Sequence, residues 1–258
     1  MIAEPQMKIV NAHLANSITD QGMLKEPNAL GYIAITAEVE LPSIWSSNST
    51  KKQQLLAKLK SMCRELRGSS EAIRRADIFD AFIIPPGTAA GKRLIEEKSY
   101  SVHVAKFDIV ILIECASVEE ALVIRETVAV EAIVSLTRLG SSYMDVIVYK
   151  NPKRIDEVSK DTKGVFLFNY FYAQDTQTLL DVWEYTAGWW TKNAKLTNST
   201  PLQPVTAGSP YHLINHCRWD RLIDVLPSLI FKPSMKRFVL KNFTENNIVA
   251  MPVLYRLA

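Results

Sequence analysis

The chain has 258 residues, 48% of them hydrophobic and 22% charged, with a formal net charge of +3. That length suits one large domain or two small ones, and the composition is that of an ordinary globular protein. The near-neutral balance, with no Lys/Arg run beyond a pair, argues against nucleic acid or an anionic membrane as the main partner.

Met1–Lys8 lacks a basic stretch followed by a long apolar run, so no signal peptide is expected. No apolar stretch approaches the ~20 residues of a membrane span. Residues 1–28 are polar and irregular and read as an N-terminal extension. Gly31–Leu41 is β-branched and reads as a strand that Pro42 ends. After Ser49-Thr50 an amphipathic helix carries Leu55, Leu56, Leu59, Met62, Cys63 and Leu66 on one side, with Gly68 as its stop. Ile78–Ile84 reads as a second strand closed by Pro85-Pro86-Gly87, and Val102–Glu114 as a third. Ser117-Val-Glu-Glu120 has the spacing of a capping box. The helix it opens has Ala121, Ile124, Val128, Ala132 and Leu136 on its apolar side and ends at Gly140. Tyr143–Tyr149 is a fourth strand. The order is β-α-β-β-α-β, over residues 29–150.

Residues 151–163 are charged and contain Pro152, as a linker would. The order then repeats over 164–258. Val165–Tyr172 is a strand apolar on both faces, and Asp175 caps a helix burying Leu179, Leu180, Trp183, Ala187 and Trp190. A short strand near Thr200–Val205 and a longer one at Tyr211–Trp219 follow. Asp220–Ile230 and Ser234–Phe243 read as a helix broken at Pro227 and Pro233. Ile248–Tyr255 closes the unit, with Pro252 predicting an edge or a bulge. The expected class is α+β: two tandem ferredoxin-like units. A lone unit leaves one sheet face wet, yet Phe107–Ile113 and Phe166–Tyr172 are too apolar for that. Pressing the two open faces together, as an intrachain α+β barrel, resolves the conflict.

The stretch Tyr211–Asp220 holds two of the four histidines, with an Arg and a Trp. Strand alternation puts His212, Ile214, His216 and Arg218 on one face, and Tyr211, Leu213, Asn215, Cys217 and Trp219 on the other. Cys63, Cys115 and Cys217 are too widely spaced for a disulfide framework or a zinc site, so no metal is expected and the thiols read as reduced core groups. A cytoplasmic protein is the default. Gly87-Thr-Ala-Ala-Gly91 lacks the strand-to-helix setting and Lys-Ser/Thr end of a phosphate loop.

With Arg218-Trp219-Asp220 leading from the third strand into the second helix, and Leu226–Met235 as a broken helix, the chain resembles the dimeric α+β barrel superfamily. This includes the antibiotic-biosynthesis-monooxygenase domains and the haem-degrading monooxygenases. The resemblance covers residues 29–258 in element order, as a tandem fusion that makes in one chain the barrel usually made by two. It implies a small-molecule ligand, with no cofactor, and for the monooxygenase branch an aromatic or polyketide-like substrate that is deprotonated and then reacts with oxygen. That chemistry needs a base near neutral pH, an oxyanion donor and a dry aromatic cage. His216 or His212 could be the base, Arg218 or Asn169 the donor, and Trp219, Tyr170, Tyr172 and Trp183 the cage.

Plainer readings stand beside these. A histidine in a buried strand is commonly a core residue, the Trp residues of 183–190 pack their helix, and Arg218 can pair with Asp220 or Glu184. Fusion products often lose one site, and His103 is the first half's single histidine candidate, so a non-catalytic barrel binding a ligand or partner is the alternative. The haem-degrading branch uses an Asn on the first strand, matched by Asn169, with a Trp and a His on the second helix. Residues 117–138 and 220–243 hold neither. Haem bound without degradation would need His103, His212 or His216. Whether fused barrels pair further, as a homodimer, stays open.

Overall fold

A computed structural model describes residues 7–15, 24–42, 47–206 and 208–258. The expected 1–28 extension lies partly outside these. Its described part is laid along the second half and the linker: Val10 and Asn242 exchange backbone-to-amide hydrogen bonds of 3.0 and 3.1 Å, and the Lys25 N–H donates to the linker's Arg154 carbonyl.

Among the described residues the β-branched and aromatic runs form eight strands: β1 (Gly31–Glu38), β2 (Ile73–Ile83), β3 (Ile109–Cys115), β4 (Tyr143–Lys150), β5 (Val165–Tyr172), β6 (Thr200–Pro204), β7 (Leu213–Trp219) and β8 (Val249–Leu257). They close into one antiparallel barrel in the order β1-β3-β2-β8-β5-β7-β6-β4. Each half contributes four neighbours in ferredoxin-like order, β4-β1-β3-β2 and β8-β5-β7-β6, and the seams are β2–β8 and β4–β6. The two halves thus cover each other's bare sheet face, as the apolarity of both faces of β3 and β5 demands. Among the described residues no helix is long and apolar enough to cross a membrane.

Period-two alternation sorts side chains into three cores. Tyr32, Phe79, Leu112, Tyr149, Phe166, Phe168, Tyr170, Ile214 and Tyr255 point into the barrel. The outward residues of the first half pack under α2 (Thr50–Ser69), α4 (Val118–Arg125) and α5 (Val128–Gly140). Those of the second half pack under α6 (Thr176–Ala194), α7 (Leu222–Phe231), a π-helix (Met235–Leu240) and α8 (Lys241–Glu245). Lys52 ties the start of α2 to the sheet through Asp108 and Asp80, at 2.7 and 2.8 Å. The short helix Ala12–Ala15 (α1) precedes them all.

Four local expectations are corrected. Residues following Pro85 form a helix, α3 (Pro86–Lys98), with Pro86 in its first turn, where a missing N–H costs nothing. Gly91 lets it lie against β8: a Cβ there would stand 2.6 Å from the Ala250 carbonyl oxygen. The third strand begins at Ile109, since Val102–Asp108 forms irregular chain beside the interior core. The helix expected after Ser117 is two helices. Thr127 breaks it by donating to the Ile124 carbonyl and capping Val130, so the buried stripe shifts to Val130, Ile133 and Val134 and leaves Val128 exposed. Pro227 sits inside α7 without ending it.

Pro252 lies within β8, between two strands, yet removes no ladder bond. Its carbonyl accepts from the Thr88 hydroxyl at 2.6 Å on the side away from β5, and its missing N–H points the same way, past a register shift in β2. Cys63, Cys115 and Cys217 are free and buried, and burial pushes the first two thiols up to about 12.

Candidate functional site

The barrel interior has two chemically different ends. His212 lies four positions before His216, just ahead of β7, so about 13 Å of extended chain separates the two. Glu38 and Tyr143 end β1 and β4 beside the His212 end, and Tyr32 and Glu114 lie at the other.

At the His216 end the inward side chains are large and buried. The His216 ring is 1% exposed, stacks on Phe168 at 4.3 Å and Phe166 at 6.0 Å, and meets the edge of Phe79 at 5.4 Å. Neither ring nitrogen has a partner at hydrogen-bond geometry, although the Leu167 backbone weakly favours the charged form. Burial, helped by the charge of Lys160, drives this imidazole well below its ordinary pKa, so it is neutral. Lys160 reaches in from the segment joining the halves and pairs with the buried Glu114. Arg218, two residues on, is held by that segment: it donates to the Thr162 hydroxyl and Lys163 carbonyl at 2.7 and 2.6 Å and pairs with Asp220 at 2.8 Å.

The other end is polar and partly exposed. Tyr143, Asp145, Ile147 and Tyr149 alternate inward along β4, and Asp145 lies opposite Thr36 of β1. One Asp145 carboxylate oxygen is buried without a partner. Burial raises this carboxyl above its usual range, with Glu38 adding to the rise, while the charge of His103 and a hydrogen bond from the Tyr143 hydroxyl pull against it. The Asp145 charge is also felt by Tyr149, Tyr170 and Tyr211, which places it facing the chamber. His103 stacks on Tyr143 at 3.7 Å and shares a 2.8 Å hydrogen bond with Glu38, whose carboxylate also accepts the Lys106 N–H. Burial and the neighbouring Asp145 push the Tyr143 phenol up to about 12, so it stays a donor. Phe107 completes the aromatic wall, with Tyr170 at 5.0 Å, Tyr143 at 5.9 Å and, at 5.8 Å, Tyr211, which alternation puts on the other face but which precedes β7 and turns into the interior. Tyr170 and Tyr255 exchange a 3.0 Å bond, and Tyr255 donates to the Phe107 carbonyl.

The sequence-derived candidates are therefore dispersed. His216, Arg218 and Tyr170 face the interior but are fixed in packing or ion pairs. His212 and Tyr172 stack on each other at 5.2 Å at the polar end, where the His212 Nδ1 accepts the Ala173 N–H at 3.4 Å. Asn169, Trp183 and Trp219 point the other way, into the helix layer. Trp219 donates to the Ala194 carbonyl, Trp183 packs in α6, and Asn169 lies across from Asn215 and Pro252 with its carbonyl oxygen unpartnered. Asp145, Tyr143 and Glu38, absent from the sequence-derived candidates, still carry a signal in the sequence: an acid alternating with aromatics on β4, and an acid ending the inward face of β1. Among the described residues no group of three or more His, Cys, Asp or Glu is placed to hold a metal ion.

This architecture, a closed α+β barrel of two ferredoxin-like halves, is the fold of the dimeric α+β barrel proteins, here made by one chain. The chain is similar over 91% of its length to the structure of an anthrone oxidase-like protein, covering 92% of it, at 9% identity and a TM-score of 0.62. It is similar over 89% of its length to a candidate monooxygenase of Fusobacterium nucleatum, covering 92% of that chain, at 6% identity and a TM-score of 0.54. At such identities the likeness is one of fold. No family model matches the chain, and no curated protein matches it in sequence.

Proposed function

We propose that this protein binds a small aromatic molecule bearing an acidic proton at the polar end of its barrel, and that Asp145 takes that proton. The observation carrying this is a carboxylate oxygen buried without a partner, beside Tyr143, His103 and Phe107. A carboxyl raised by burial is a stronger base than a solvated one, and a hydroxyl or acidic C–H is the partner it lacks. Tyr143, kept protonated, supplies the donor for the oxyanion that forms.

The finer reading is a cofactor-independent monooxygenase, and similarity to an anthrone oxidase-like protein supports it. In that chemistry Asp145 would accept the C–H proton of an anthrone, and the resulting carbanion would give its electrons to dioxygen. A carbon–oxygen bond forms, and the hydroperoxide loses water to leave the quinone, so one anthrone and one dioxygen give one quinone and one water. The alternative, a binding protein without turnover, shares the site and omits the oxygen step.

The test is equilibrium binding of 2-naphthol followed by oxygen uptake with anthrone. Saturable binding lost in Asp145→Asn supports the site, and stoichiometric oxygen consumption supports the monooxygenase. Binding without uptake leaves the binding protein. No binding, or binding indifferent to Asp145→Asn, would refute the site.

A further inference from the structure

The outer flank of the polar end carries a second feature. A depression of about 440 Å³ opens along β4, lined by Arg125, Arg138, Ser141, Ser142, Tyr143 and Asp145 among others. It brings two cationic side chains from the ends of α4 and α5 to the wall that holds the Asp145 carboxylate. The guanidinium of Arg138 has no acidic partner among the described residues. Arg125 pairs with its neighbour Glu126 at the surface, an interaction worth little and easily exchanged. The Ser141 and Ser142 hydroxyls donate to the carbonyls of Arg138 and Glu38.

A guanidinium with no carboxylate of its own, at the rim of a concavity, is suited to bidentate binding of a carboxylate. Asp145, in the same concavity, repels an anion and requires a proton-bearing group. The two demands are met by one molecule with an anionic end and a protic end. We infer that the ligand is an aromatic hydroxy acid, its carboxylate held by Arg138 with Arg125 at the flank and its hydroxyl turned to Asp145. This rests on the proposed Asp145 site and names the class of molecule that it takes.

Calorimetric titration of 2-naphthol and 6-hydroxy-2-naphthoate at low salt tests it. The acid should bind at least ~10-fold tighter, a difference of ~1.4 kcal/mol. That advantage should vanish in Arg138→Gln and shrink in high salt, while 2-naphthol binds the variant as it binds the parent. Equal affinities for the two ligands, or a preference that survives Arg138→Gln, would overturn the inference and leave the Asp145 site standing. Binding of neither ligand would overturn both.

Discussion

The two ends of the barrel interior are built from the same alternating strands and do opposite things with a buried titratable group. At the His216 end the group is enclosed by phenylalanines and neutralised, so it has become a core residue of awkward chemistry. At the Asp145 end the group lies among phenols, a histidine and a second carboxylate, and its environment raises its basicity while leaving one oxygen unsatisfied. Burial alone therefore does not make a site. On the proposed reading, the contrast turns on whether the lining offers a partner for a proton in transit.

The largest effect expected from breaking this contrast is kinetic. Asp145→Asn should lower any proton-abstraction turnover by about 10²–10⁴-fold, the range a positioned base supplies, measured as kcat/KM for anthrone. The same variant should gain stability at neutral pH, by about 0.5–2 kcal/mol in denaturant titration. The sign follows from the raised pKa. The folded form holds the proton more tightly than the unfolded chain, so its contribution is present at low pH and lost as pH rises through the folded value. Activity lost with stability gained is the signature of a carboxylate kept for function as a base.

At the other end Lys160→Met should cost about 3–5 kcal/mol, because Glu114 would be left buried and unpaired, and adding Glu114→Leu should recover most of it. His216→Leu should change stability at pH 8 by less than about 1.5 kcal/mol, since the volume is roughly kept and two unpartnered nitrogens disappear. It should also flatten the acid limb. The folded His216 pKa is depressed, so the unfolded chain gains a proton below about 6.5 that the folded form refuses. Parent stability then falls by up to about 1.4 kcal/mol per pH unit below that point, and the variant lacks this share. The smallest effect expected is that of Thr127→Ala, about 1 kcal/mol from the lost cap between α4 and α5.

Much of this is legible in the residues. The repeat of element order and the apolarity of both faces of β5 require a shared barrel, and period-two alternation on β7 puts His216 indoors. What alternation leaves undetermined is which indoor group stays reachable. His216 is surrounded by Phe79 from the other half of the chain, a contact set by barrel closure across the β2–β8 seam. The polar end is assembled from Glu38, His103, Asp145 and Tyr211, four segments with no common motif. Helix α3 escapes the periodicity because its buried face is made of Thr88 and Gly91 before Leu94 and Ile95, small groups that serve close approach to β8. Asn169 reads as a pocket residue through its type, while its odd position on β5 sends it to the helix layer.

The most direct test is to titrate 2-naphthol into the parent protein, Asp145→Asn and His216→Leu under one set of conditions. One saturable site in the parent, kept in His216→Leu and lost in Asp145→Asn, is the predicted result. Binding that disappears with His216 and persists without the Asp145 carboxylate would place the ligand at the wrong end and contradict the account.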